Sequence, residues 1–120
     1  MNGLKPHVLC IEDNIDTCTV LRLLLEANGF LVTIAQSWPK AMGAVKMLEF
    51  DFILTDLHFD GQDDHITQIR AVTPTTPLAV LSGEMRPEFI AAALASGADH
   101  YFKKPDDMMD LPSRIAKLLE

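Results

Sequence analysis

The sequence predicts an α/β domain: a five-stranded parallel sheet covered by helices on both faces. Two observations carry this reading. Short apolar runs alternate from end to end with longer segments whose apolar residues recur at helical spacing. Strands that are apolar on both faces need cover on both, and alternating strands and helices supply it through parallel crossovers. A third observation concerns chemistry: the residues just after the strand-like runs include acids, a hydroxyl and a lysine.

The elements follow in order. His7–Ile11 is a short apolar run ending in acids and reads as a buried strand. Residues 15–28 carry apolar side chains at 20, 21, 24, 25 and 27, a helical stripe, and Asn28-Gly29 suits a left-handed cap. Leu31–Ala35 is the second strand. Residues 39–49 place Ala41, Met42, Ala44, Val45 and Leu48 at helical spacing. Pro39 suits the first turn of that helix, and Trp38 reads as a packing residue at its start. Phe52–Thr55 is the third strand. Residues 63–72 form a short helical pattern with Ile66 and Ile69 three apart, broken by Thr73-Pro-Thr-Thr-Pro77. Residues 78–81 are the fourth strand, and 87–96 an alanine-rich helix ended by Gly97. His100–Lys103 is the fifth strand. Residues 110–120 are the last helix, with Asp110 as N-cap and Ile115, Leu118 and Leu119 facing inward.

Composition bounds the function. A chain of 120 residues with 48% hydrophobic residues is expected to be one domain, 1–120, with a sizeable core. No apolar run approaches the roughly 18–20 residues of a membrane span. The N-terminal Met-Asn-Gly-Leu-Lys-Pro does not read as an export signal, so the expected compartment is the cytoplasm. The net charge of −7 argues against direct nucleic-acid binding, which needs a basic patch. Cys10 and Cys18 lack zinc-ligand spacing and read as small buried hydrophobes. His7, His65 and His100 also lack ligand spacing and read as surface or strand-edge residues.

In an open parallel sheet, functional groups collect beyond the carboxyl ends of the strands. Glu12 and Asp13 follow strand one, Asp56 strand three, Ser82 and Gly83 strand four, Lys104 and Pro105 strand five. Singly, each could be a solvated strand end. Together, the three acids repel, and a divalent cation relieves that repulsion. Magnesium favours carboxylates, a carbonyl, water and a phosphate oxygen, which such a site offers. A carboxylate beside a divalent cation and a lysine can act as a nucleophile toward phosphorus. Asp56 is the best placed, central and fixed by the run Phe52–Thr55.

The sequence resembles the receiver domains of two-component response regulators over its whole length. Four elements carry the likeness in order: Val8-Leu-Cys-Ile-Glu12-Asp13, Phe52-Ile-Leu-Thr-Asp56-Leu57, Leu78-Ala-Val-Leu-Ser82-Gly83 and Tyr101-Phe-Lys-Lys104-Pro105. The resemblance implies a flavodoxin-like (βα)5 fold with strand order 2-1-3-4-5. It implies that Asp56 accepts a phosphoryl group from a sensor histidine kinase or a phosphotransfer protein. Mg²⁺ would be held by Asp13, Asp56 and the His58 main-chain carbonyl, with Glu12 acting largely through water. Ser82, Gly83 and Lys104 would bind the phosphoryl group, and Lys104-Pro105 is a candidate cis peptide. Ser82 and Tyr101, expected as neighbours across strands four and five, would be the switch pair. The face of the fourth helix, fifth strand and fifth helix would bind an output partner or a second copy. Such a domain catalyses only its own phosphorylation and autodephosphorylation, and His58 and Glu84 are candidates for setting its lifetime.

Two positions depart from the family pattern: Asp60 stands where proline is usual and Asp64 where glycine is usual. Other readings fit less well. An FMN-binding protein would need a Ser/Thr/Gly-rich loop after strand one, and Glu12-Asp-Asn14 would repel a phosphate. An aspartate-based phosphohydrolase would want a second acid where His58 stands. A receiver-like interaction module that takes no phosphate is the remaining alternative, and the full acid, hydroxyl and lysine set argues against it.

Overall fold

The computed structural model describes residues 4–120; Met1, Asn2 and Gly3, part of the segment read above for an export signal, lie outside them. Strands β1 (His7–Ile11), β2 (Leu31–Ala35), β3 (Phe52–Thr55), β4 (Leu78–Ser82) and β5 (His100–Lys103) alternate with helices. The helices are α1 (Ile15–Ala27), α2 (Trp38–Met47), α3 (His65–Val72), α4 (Pro87–Ala95) and α5 (Leu111–Leu118). All pairings are parallel, in the order β2-β1-β3-β4-β5. This is the flavodoxin-like order, with the winding reversing between β1 and β3.

The two-residue period of the strands sorts the core into two layers. Val8, Cys10, Phe52, Leu54, Ala79, Leu81 and Phe102 pack on one face against Leu21 and Leu25 of α1 and Leu111 and Ile115 of α5. Leu9, Ile11, Ile53, Leu78 and Val80 pack on the other against Ala41, Val45, Ile66, Ile69 and Ala93 of α2, α3 and α4. Fully burying each Leu, Ile or Phe contributes about 1.5–3 kcal/mol. The central strands are therefore rigid, and the residues that follow them start from fixed points.

The helix starts have local causes. The Asn14 side chain caps α1, accepting from Thr17 N at 2.9 Å, and Ser37 caps α2 through Lys40 N at 3.4 Å. Gly29 ends α1 with φ +89°, the left-handed geometry expected of that pair. Helix α2 begins at Trp38, one residue before Pro39, and α3 begins at His65 rather than 63.

The end of the chain differs from expectation. A 3-10 turn, Met108–Asp110, precedes α5, and Asp110 makes no side-chain capping bond. Its backbone is already helical (φ −90°, ψ −6°), so its carboxylate is not presented to the helix's free N–H groups. Ile115 is fully buried, as expected, but Leu118 is 38% exposed. No helix among the described residues is long and apolar enough to cross a membrane.

Candidate functional site

The carboxyl ends of β1, β3, β4 and β5 lie together at one end of the sheet. Glu12 extends β1 by one residue, donating its N–H to Ala35 O at 3.0 Å, which turns its side chain inward. It is only 2% exposed. A carboxylate buried this far needs partners. Lys104 Nζ donates to Oε1 at 2.6 Å and Asn14 N to Oε2 at 3.1 Å. Burial pushes the Glu12 pKa up, and the Lys104 hydrogen bond opposes it.

Lys104 also reaches Asp56, its Nζ lying 3.4 Å from Oδ2. Burial alone would lower the lysine's pKa; the hydrogen bond to Glu12 and the charge of Asp56 outweigh it and raise it. A backbone hydrogen bond ties the residue to β4. Lys104 N donates to Ser82 O at 2.9 Å, and the Lys104–Pro105 peptide bond is cis. Asp56 stands one residue past β3, its N–H donated to Ile11 O at 2.9 Å. Asp13 is exposed beside them, and its Oδ2 accepts from Asp60 N at 3.3 Å.

One oxygen from each of Glu12, Asp13 and Asp56 lies within 4.8 Å of the others. At that distance two like charges repel by on the order of 3.5 kcal/mol at an effective dielectric near 20. Lys104 balances only one of the three acids. The remaining excess is that of a divalent cation, and the donors are the hard oxygens that magnesium and calcium take. The donor set therefore fits such an ion.

Ser82 ends β4 and is 3% exposed; its Oγ accepts from Glu84 N at 3.1 Å. Gly83, next to it, is exposed. In the ladder Ser82 pairs with Lys103 and Tyr101 with Val80, so Ser82 and Tyr101 share one face of the sheet as diagonal neighbours. Tyr101 is half-buried, its hydroxyl donates to Glu84 O at 2.9 Å, and burial raises the phenol's pKa.

At the rim, the His58 side chain is 68% exposed and stands 3.8 Å from Glu84. Glu84 is engaged elsewhere: Arg86 grips both its oxygens, at 2.7 and 2.9 Å. Hydrogen bonds from Arg86 hold the Glu84 carboxyl down at about 2. The Arg86 guanidinium in turn lies 4.2 Å over the Phe89 ring. Nothing in the sequence singled out Arg86 beyond its place two residues after Glu84.

The departing loop has its own logic. Asp60 adopts φ 49°, a left-handed conformation that Asp tolerates and proline's fixed φ forbids. Its N–H serves Asp13, and its Oδ2 accepts from Trp38 N at 2.7 Å, at the start of α2. Asp60 is thus a strut between the acid cluster and α2.

His65 departs from the sequence reading. Expected at the surface, it is 2% exposed. As the first residue of α3 it faces the sheet, with its ring edge-on to Trp38 and tilted against Phe59, at centroid distances of 6.5 and 6.1 Å. Its Nε2 lies 2.8 Å from the main-chain oxygen of Asp56. Cys10 and Cys18 are buried free thiols, as read, and burial pushes the Cys10 thiol up to about 12.

Fold and site define a doubly wound α/β module with an acid-and-lysine cluster at the reversal point of its sheet. Residues 8–116 match the response regulator receiver domain, and the chain belongs to that family. It is 32% identical over 114 residues to the transcriptional regulatory protein ZraR of Escherichia coli K12, covering 93% of this chain. The match spans 26% of that regulator, so the chain corresponds to about a quarter of its relative's length. A two-component response regulator from Clostridium difficile superposes with a TM-score of 0.89 at 26% identity, covering 96% of each chain. A Burkholderia pseudomallei response regulator, solved with a phosphorylated aspartic acid, calcium ion and citrate, superposes at 0.80 with 25% identity. That match covers 95% of this chain and 71% of the other.

Proposed function

We propose that the protein is a phosphorylation switch of a two-component pathway, with Asp56 as phosphoacceptor. The observation that carries this is the Lys104 ammonium bridging buried Glu12 and Asp56, beside Asp13. In the reaction an Asp56 carboxylate oxygen attacks phosphorus of a phosphohistidine donor. The O–P bond forms, the P–N bond breaks, and the leaving imidazole takes up a proton. Asp13, Asp56 and the His58 main-chain carbonyl would hold Mg²⁺, with Glu12 acting largely through water. When bound, the ion supplies charge neutralisation at the phosphoryl oxygens. Lys104 supplies the second positive charge, and Ser82 Oγ and the exposed Gly83 N–H stand ready for the same oxygens. His58 and Glu84, side by side at the rim, would modulate the lifetime of the phosphoryl group, by shielding it or by orienting water.

The output follows from Ser82 and Tyr101. A phosphoryl group accepts charge-assisted hydrogen bonds, roughly twice as strong as neutral ones, so it draws Ser82 away from Glu84 N. That loosens the segment whose carbonyl holds the Tyr101 hydroxyl. The surface altered is that of α4, β5 and α5, where Leu118 is exposed beside Tyr101, Arg114 and Lys117. This face would take the output partner or a second copy. The donor would be a sensor histidine kinase or phosphotransfer protein, and the compartment the cytoplasm.

The test is intact mass after incubation with acetyl phosphate. One added phosphoryl group is expected with Mg²⁺ and none when the metal is chelated. No addition with any small donor or kinase would leave the chain an interaction module.

A second expectation concerns the metal. An ion that binds only the folded state at one hundred times its Kd stabilises by about 2.7 kcal/mol, so Mg²⁺ should raise the melting temperature. Asp13→Asn keeps an oxygen for Asp60 N while removing one repelling charge. Its metal-free melting temperature should rise, and its response to Mg²⁺ should fall to less than half of wild type. An equal response in both proteins would exclude Asp13 as a ligand.

A further inference from the structure

The main-chain carbonyl of Asp56 lies past the last β3 residue, so no strand partner is there to fix it. The N–H side of the same residue is pinned to Ile11 O at 2.9 Å. The carbonyl side meets His65 Nε2 at 2.8 Å and the Thr55 hydroxyl at 3.0 Å. A carbonyl only accepts, so His65 Nε2 carries the hydrogen. The other ring nitrogen agrees: Nδ1 is buried and without a hydrogen-bond partner among the described residues. A bare nitrogen acceptor is tolerable there. The opposite tautomer would bury an unused N–H donor and set two lone pairs against each other.

The ring itself cannot drift. It is 2% exposed and held between Trp38 of α2 and Phe59 of the loop after Asp56. Trp38 N is anchored to Asp60, whose own N–H is anchored to Asp13. The histidine is therefore a rigid donor supported by the same loop that carries the acid cluster.

We propose that His65 is a positioning residue for the phosphoacceptor: its Nε2–H clamps the Asp56 carbonyl and so fixes the backbone from which the Asp56 carboxylate is aimed. The proposal rests on the reading of Asp56 as phosphoacceptor. A clamp of this kind matters because small misplacements of a reacting group are costly, about a hundredfold for roughly 1 Å. His65 never touches the phosphoryl group; it acts only through the main chain of Asp56.

The test uses His65→Phe, which keeps a ring and loses the donor, His65→Leu, which loses both, and His65→Gln, whose amide can replace Nε2–H. Urea melts establish which variants fold. Phosphorylation by acetyl phosphate with saturating Mg²⁺ is followed by intact mass at varied donor concentration. In folded His65→Phe or His65→Leu the rate at saturating donor should fall about tenfold, while half-saturation stays within about twofold of wild type. His65→Gln should recover most of the rate. Wild-type rates in a folded variant lacking the donor, or a folded His65→Gln no faster than those variants, would overturn the clamp.

An independent readout needs no phosphorylation. Long-range ¹H–¹⁵N spectra should show His65 as the Nε2–H tautomer, and the Asp56 carbonyl ¹³C resonance should shift upfield in His65→Gln less than in His65→Leu or His65→Phe. The other tautomer, or an Asp56 carbonyl unmoved by any substitution, overturns the proposal. If wild type takes no phosphoryl group, the phosphoacceptor reading falls, and these spectra decide the clamp alone.

Discussion

Asp56→Asn should fold at least as stably as wild type and take up no phosphoryl group. The substitution is nearly isosteric, so the core beneath it is undisturbed. It removes one of three charges whose oxygens lie within 4.8 Å of one another, which relieves the repulsion on Glu12 and Asp13. The cost is the weak link to Lys104 at 3.4 Å, the longer of that lysine's two contacts. An amide oxygen is a far poorer nucleophile than a carboxylate. The expected fall in rate is at least about a thousandfold, or about 4 kcal/mol in the barrier. Intact mass after acetyl phosphate treatment measures the rate, and urea melts measure the stability. Unchanged phosphorylation in the variant would move the acceptor elsewhere, with Asp13 the first alternative. A destabilised variant would mean that the Lys104 contact outweighs the repulsion.

Much of the site was legible because each of its residues ends or follows a strand. The alternation of apolar runs implies a parallel sheet whose carboxyl ends lie on one side, and Glu12, Asp13, Asp56, Ser82 and Lys104 fall at those ends; the strand order comes from the family resemblance. What the sequence hid depends on contacts between distant segments. The burial of Glu12 cannot be read from its neighbours, since its partner Lys104 is 92 residues away. His65 reads as a surface or strand-edge residue because it lacks ligand spacing to any other histidine or cysteine. Its burial comes from Trp38 and Phe59, on two other segments. Asp60 stood out as a departure, yet its role follows only from its left-handed backbone and its bond to Trp38 N. Asp110 failed as a cap because the preceding 3-10 turn was not visible in the pattern, and Leu118 is exposed on the face proposed for partners.

Lys104→Met should do two separable kinds of damage. The first is to the reaction. Among the described residues the ammonium is the one positive charge in contact with Asp56, and removing one preorganised donor of this kind costs about 10²–10³ in rate. The second is to the fold. Glu12 is 2% exposed and loses the partner on Oε1, keeping only Asn14 N on Oε2. Breaking a buried ion pair costs about 3–5 kcal/mol, and the 21% exposure of the Lys104 side chain places this loss at or below the low end. The loss depends on pH through Glu12. Burial raises its folded-state pKa above the usual 4.5, and in wild type Lys104 opposes that rise. Without the lysine the folded pKa climbs further. A carboxyl with a raised folded pKa contributes stability that is fully present below its unfolded value and lost as pH rises through the folded value. The variant's deficit against wild type should therefore be smallest in acid below 4.5 and grow toward neutrality. Adding Glu12→Gln to Lys104→Met replaces the stranded carboxylate with an amide that still accepts from Asn14 N. That double variant should regain most of the stability at neutral pH and none of the rate. Urea melts across the pH range and phosphorylation by acetyl phosphate give both readouts. A deficit independent of pH would show that Lys104 does not stabilise the fold through Glu12, and a phosphorylation rate restored by Glu12→Gln would show that Lys104 has no part in the transfer.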